Sequence, residues 1–132
     1  MPGIILLTEP EQAVRESIGT VLNDEGYQCV CVPDGESAIA ALNEHQFDLV
    51  ITEVQLPCLS GAEVVAKAIN VPSHPLVVLI TTYPHIDDAY DAMKRGASSF
   101  HLKPLDFVSV LRSIDKLLSA RHVADSTIHE KH

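Results

Sequence analysis

The sequence predicts an α/β three-layer sandwich: a central five-stranded parallel sheet with helices on both faces. Three observations carry that expectation. Short, continuously aliphatic runs alternate five times with stretches of helical periodicity. The runs are apolar on both faces, as strands buried inside a covered parallel sheet must be. The 132 residues suffice for one compact core and leave no room for a second. Strict alternation then implies right-handed crossovers between parallel strands.

Each element has a local reason. Ile4-Ile5-Leu6-Leu7 is the first strand. Val14, Ile18, Val21 and Leu22 form the apolar stripe of a helix over 10–25, and Gly26 stops it. Residues 27–32 read as a strand ending at the turn Pro33-Asp34-Gly35. Ala38, Ile39, Ala41 and Leu42 mark the second helix, and 47–54 the third strand. Ser60 and Glu63 have the spacing of a capping box before a helix carrying Val64, Val65, Ala68 and Ile69. Residues 76–81 are a fourth strand. Ile86, Ala89, Ala92 and Met93 define a fourth helix closed by Gly96, and 99–102 are a short fifth strand. Asp106 can cap a last helix with Phe107, Val110, Leu111, Ile114, Leu117 and Leu118. From Arg121 the chain turns polar, so the expected division is a domain over 1–120 and a frayed tail or linker start over 121–132.

Composition excludes several functions. With 9 basic and 18 acidic residues, the formal charge of −9 disfavours nucleic-acid and anionic-membrane contact. No run approaches the roughly 18 apolar residues of a membrane span. The start of the chain has no basic segment of a secretory signal, and three Cys make no disulfide scaffold. A cytoplasmic location with reduced thiols is the expectation.

In such sheets the working site lies at the carboxyl ends of the strands. Four segments there form a pattern: Ile5-Leu6-Leu7-Thr8-Glu9-Pro10-Glu11, Asp48-Leu49-Val50-Ile51-Thr52-Glu53-Val54-Gln55-Leu56-Pro57, Val78-Leu79-Ile80-Thr81-Thr82, and 93–104 ending in Phe100-His101-Leu102-Lys103-Pro104. Over residues 3–120 the sequence resembles a two-component response-regulator receiver domain with a flavodoxin-like fold. The resemblance implies a signalling module rather than an enzyme. In that family an Asp on the third strand takes a phosphoryl group from a histidine kinase. An acidic pair, that Asp and a backbone carbonyl hold Mg²⁺. A Thr and a Lys contact the phosphoryl oxygens, and an aromatic residue swings inward.

The chain departs from this pattern at its chemistry. Glu53 stands at the acceptor position, and its extra methylene moves the carboxylate by about 1.5 Å. Glu9 fits the first acidic position, but Pro10 stands at the second, where a direct metal ligand is expected; Glu11 follows. Mg²⁺ binding is expected to be weak or absent, with Glu9, Glu53 and Gln55 as candidate ligands. Thr81, Phe100 and Lys103 keep the switch and phosphate-contact positions. The expectation is an atypical receiver, acting by protein contact without phosphorylation. Glu53 would reach Lys103 and Thr81 and imitate an active state. The alternatives are a working phospho-acceptor of unusual chemistry at Glu53, or the N-terminal regulatory domain of a transcription regulator.

Expected partners are a histidine kinase or an output domain. A homodimer patch is expected on the fourth-helix, fifth-strand and fifth-helix face around Tyr90, Ala97 and His101. His101 should point from the pocket toward the outer helices, while His129 and His132 lie in the tail. Cys29 and Cys31 share one face of a strand and are expected to be buried small hydrophobes. Cys58, beside the acceptor loop, is a candidate redox thiol if a cation stands near it.

Overall fold

The computed structural model describes residues 3–130. Five strands and five helices alternate: β1 (Ile4–Thr8), α1 (Gln12–Asp24), β2 (Gln28–Val32), α2 (Gly35–Glu44), β3 (Leu49–Glu53), α3 (Gly61–Asn70), β4 (Leu76–Thr81), α4 (Ile86–Lys94), β5 (Ser99–Leu102) and α5 (Phe107–Glu130). All strand pairs are parallel, in the order β2-β1-β3-β4-β5. The order reverses between β1 and β3, so the ends of those two strands flank the switch point.

The sheet buries two apolar layers. Leu6, Val50 and Leu79 pack under Ala38, Val64, Val65 and Ala89, so α2, α3 and α4 cover one face. Ile5, Leu7, Ile51, Val78 and Ile80 pack under Ile18, Leu22, Val110 and Ile114, so α1 and α5 cover the other. Alternation along β3 sends Leu49, Ile51 and Glu53 toward the α1/α5 side and Val50 and Thr52 toward the opposite side. All five β3 residues are buried.

Local signals act as their chemistry requires. The Ser60 hydroxyl accepts from the Glu63 amide at 3.4 Å, and the Glu63 carboxylate accepts from the Ser60 amide at 3.0 Å, completing the capping box. Asp106 accepts from the amides of Val108 (3.1 Å) and Ser109 (3.4 Å) at the start of α5. Gly26 adopts φ +93°, the left-handed conformation that ends α1 without a Cβ penalty.

Several expectations change. Glu11 is the N-cap of α1, so Pro10 precedes the cap and is not in the first helical turn. A 3₁₀ turn, Tyr83–His85, stands between β4 and α4. α5 continues to Glu130 rather than fraying at Arg121. The chain contains neither Gly nor Pro after Pro104, so an established helix propagates even where its apolar stripe fades. The Arg121 guanidinium anchors this stretch by donating to the Ser73 carbonyl at 3.0 Å.

Cys31 is exposed and Cys29 only half-buried, against the expectation of burial. β2 is an edge strand with no buried residue. His101 does turn to the face opposite Phe100, but Ala97 is buried, so Tyr90 alone of the expected dimer patch is well exposed. The side chain of His129 and all of His132 lie outside the described residues. Among the described residues no helix is long and apolar enough to cross a membrane.

Candidate functional site

Three charged side chains from three strand ends meet at the switch point. Glu9 directly follows β1, Glu53 is the last residue of β3, and Lys103 directly follows β5. Glu9 is 1% exposed and Glu53 6%. Charges so deeply placed persist only when paired and hydrogen-bonded.

The Lys103 ammonium supplies that pairing. It donates to Glu53 Oε1 at 2.8 Å and to Glu9 Oε1 in a still closer contact. Glu53 Oε2 accepts the amides of Val54 (2.6 Å) and Gln55 (3.1 Å). Glu9 Oε2 accepts the amide of Glu11 at 2.9 Å. All four carboxylate oxygens therefore have donors. Two carboxylates and one ammonium leave the cluster with one net negative charge. Burial opposes the Lys103 charge, but the hydrogen bonds and attraction of Glu53 and Glu9 outweigh it and hold the amine above its usual range.

The backbone fixes this arrangement. The Glu9 amide donates to the Val32 carbonyl at 3.1 Å, and the Val54 amide donates to the Ile80 carbonyl at 3.1 Å. Gly61 begins α3 directly against the end of β3. A Cβ there would lie 2.6 Å from the Glu53 carbonyl oxygen, so only glycine permits the approach.

The remaining expected site residues divide. Pro10 offers no side-chain ligand, and Glu11 is exposed, contributing only its amide. Gln55 is exposed and its side-chain amide donates to Asp88 at 2.6 Å, linking the β3–α3 loop to α4. Thr81 is fully buried, yet its hydroxyl has no partner among the described residues. Phe100 is half-buried and meets Tyr90 edge-on at 5.4 Å. Cys58 is exposed, with φ +66°.

Sequence reading missed Arg15, whose guanidinium donates to the carbonyls of Glu9 (2.8 Å) and Pro10 (3.3 Å), and the Asp88 partner of Gln55. Neither has a motif, since each depends on a helix lying against a particular strand end.

The cluster does not fit a divalent cation. Mg²⁺ demands near-octahedral oxygen ligands at about 2.0–2.1 Å. Here Lys103 lies between the two acids, every carboxylate oxygen has a donor, and the third acid is replaced by Pro10. Among the described residues no three His, Cys, Asp or Glu side chains assemble as a cation site.

Together, a 2-1-3-4-5 parallel sheet with acid, acid and lysine at its strand ends defines a receiver-type signalling module. The family model for the response regulator receiver domain matches residues 5–115, and the chain belongs to that family. It is 32% identical over 122 residues to the response regulator protein FleR of Pseudomonas aeruginosa, covering 92% of this chain and 25% of that protein. NtrX from Brucella abortus, solved with ADP, superposes with a TM-score of 0.88 at 26% identity over 96% of this chain and 29% of that one. The receiver domain of the sensor histidine kinase PA1611 from Pseudomonas aeruginosa, with a magnesium ion coordinated in its active-site cleft, shares the fold. Its TM-score is 0.81 at 19% identity, over 90% of this chain and 99% of that one. The chain spans about a quarter of the length of the first curated relatives it matches.

Proposed function

We propose that this receiver is atypical and signals through protein contacts without accepting a phosphoryl group on Glu53. The observation that carries the reading is the closed cluster: Lys103 bridges Glu9 and Glu53, and each carboxylate oxygen is held by at least one hydrogen bond. A nucleophilic oxygen must be aligned for in-line attack, and here the longer Glu53 side chain is held by Lys103 on one oxygen and by two backbone amides on the other; displacements of about an ångström already cost orders of magnitude in rate. Transfer also requires a cation to neutralise developing charge, and the donor set here does not suit one.

The cluster imitates only part of a phosphorylated site. Glu53 engages Lys103, but the Thr81 hydroxyl does not close on it. A carboxylate also brings two oxygens where a phosphoryl group brings three. The reading is therefore a fixed, ion-paired state in place of a switch. Its partner surface would be the α4, β5 and α5 face, where Tyr90 and Leu102 are exposed. Relatives more than three times the length of this chain, some named as transcriptional regulatory proteins, support an output domain or protein as the partner.

The test is phosphorylation with a small phosphodonor and Mg²⁺, read by intact mass. The wild-type chain should gain no acyl phosphate. Pro10→Asp with Glu53→Asp should recover Mg²⁺-dependent phosphorylation. An acyl phosphate on the wild type that disappears in Glu53→Gln would overturn the proposal.

A further inference from the structure

The two cysteines of β2 stand apart from the acid cluster and have no role in it. Cys29 and Cys31 project from the same face of the edge strand, toward α1, and their sulfurs are 3.4 Å apart. α1 makes room for them at Gly19, where a Cβ would lie 3.2 Å from the Cys31 sulfur. One turn earlier on the same helical stripe is Arg15, whose charge acts on Cys31. Cys31 is exposed, so small reagents reach it.

We propose that Cys29 and Cys31 form a reversible redox dithiol, oxidised by a hydroperoxide to an intrachain disulfide on the open edge of the sheet.

The geometry supports each step. Either sulfur can donate across this contact; with Cys29 as donor, the hydrogen bond, aided by the Arg15 charge, outweighs burial and lowers the more exposed Cys31 thiol to about 7. The same hydrogen bond, with burial, raises Cys29, which stays protonated. The Cys31 thiolate is thus the nucleophile and Cys29 the resolving thiol. The Cys31 sulfur attacks a peroxide oxygen, the O–O bond breaks, and hydroxide leaves, giving a sulfenic acid. The Cys29 sulfur then attacks the Cys31 sulfur, the S–O bond breaks, and the departing hydroxide takes the Cys29 proton as water. With hydrogen peroxide the sum is two thiols oxidised by two electrons and one peroxide reduced to two waters.

Closure is within reach of the backbone. Same-face neighbours on a strand have Cα atoms about 6.6 Å apart, inside the span that disulfides bridge. The sulfurs must approach to about 2.05 Å, and β2 is hydrogen-bonded on one side only, so its edge can pucker. A disulfide strained in this way is readily reduced, which suits a reversible site. The site also borders the acid cluster: Val32, next to Cys31, accepts from the Glu9 amide, and Arg15 donates to the Glu9 carbonyl.

The test uses the full chain carrying Cys58→Ser, treated with hydrogen peroxide and mapped by mass spectrometry. The expected product has lost two hydrogen atoms, links Cys29 to Cys31, and returns to the dithiol with reductant. In a Cys29→Ser background the Cys31 sulfenic acid should persist and react with a dimedone probe. In the otherwise wild-type chain Cys31 should be alkylated about tenfold faster than Cys58 at neutral pH, as a lowered thiol pKa requires. Arg15→Gln should remove part of that advantage. Irreversible gain of two or three oxygens on Cys31 with Cys29 still reduced, linkage between chains, or reactivity no greater than that of Cys58 would each overturn the proposal.

Discussion

The centre and the edge of this sheet treat reactive side chains in opposite ways. β3 is buried at all five positions, including a glutamate, whereas β2 has no buried residue at all. At the centre a carboxylate persists only with its oxygens filled, so Glu53 is bound to Lys103 and to two backbone amides. At the edge no side chain is fully buried, two sulfurs lie against each other, and Cys31 stays exposed. Burial, more than residue type, thus decides which polar groups here are structural and which remain chemically available.

The largest expected effect is that of a cavity at the centre. Ile51→Ala removes a fully buried side chain and should cost about 4 kcal/mol in denaturant unfolding. The next is Lys103→Met, which leaves two buried carboxylates facing each other without a cation. It should cost about 3 kcal/mol, and adding Glu53→Gln should return part of that loss. No recovery in the double variant would mean that the two acids do not depend on the shared ammonium.

A pH titration sharpens the same point. Burial works against the Lys103 charge, but its two acid partners raise the amine above its unfolded value. Its contribution is therefore complete below the ordinary lysine pKa of about 10.4 and is lost as pH rises through the elevated folded value. Tyr27, raised by burial and then by its hydrogen bond to Asp115, acts with the same sign in the alkaline range. Stability followed by circular dichroism should fall above about pH 10.5, and Tyr27→Phe should remove only the tyrosine component. A loss unchanged by Lys103→Met would detach it from the cluster. The smallest effect belongs to the edge: Val30→Ala, at a position 40% exposed, should change stability by no more than about 0.5 kcal/mol.

Local signals were legible because their causes are local. The Ser60 and Glu63 box, the Asp106 cap and the left-handed glycines at 26 and 96 all act over a few residues. Aliphatic runs announced the strands, and alternation announced the parallel sheet. Lys103 and Glu9, 94 residues apart, were placed together only by resemblance to a family pattern. The extent of α5 was missed because helix propagation outlasts the apolar stripe used to detect it.

The exposure of Cys31 has a different cause. Residues 28–32 look like any other strand of the sheet, and nothing in them states that β2 lies at its edge. Strand order comes from how crossovers pack, which couples residues far apart in the chain.

The order of residues alone sets the alternation of elements, the caps that bound several of them, and the chemical identity of the strand-end residues, including Glu53 and Pro10. Those depend on periodicity and short-range hydrogen bonding, which neighbouring residues encode. Only packing decides that Lys103 pairs with both acids at once, that Arg15 covers the Glu9 carbonyl, and that Cys29 and Cys31 lie at the edge of the sheet. Those facts arise where segments distant in sequence share a small buried volume, and only packing sets the distances on which their charge and reactivity depend.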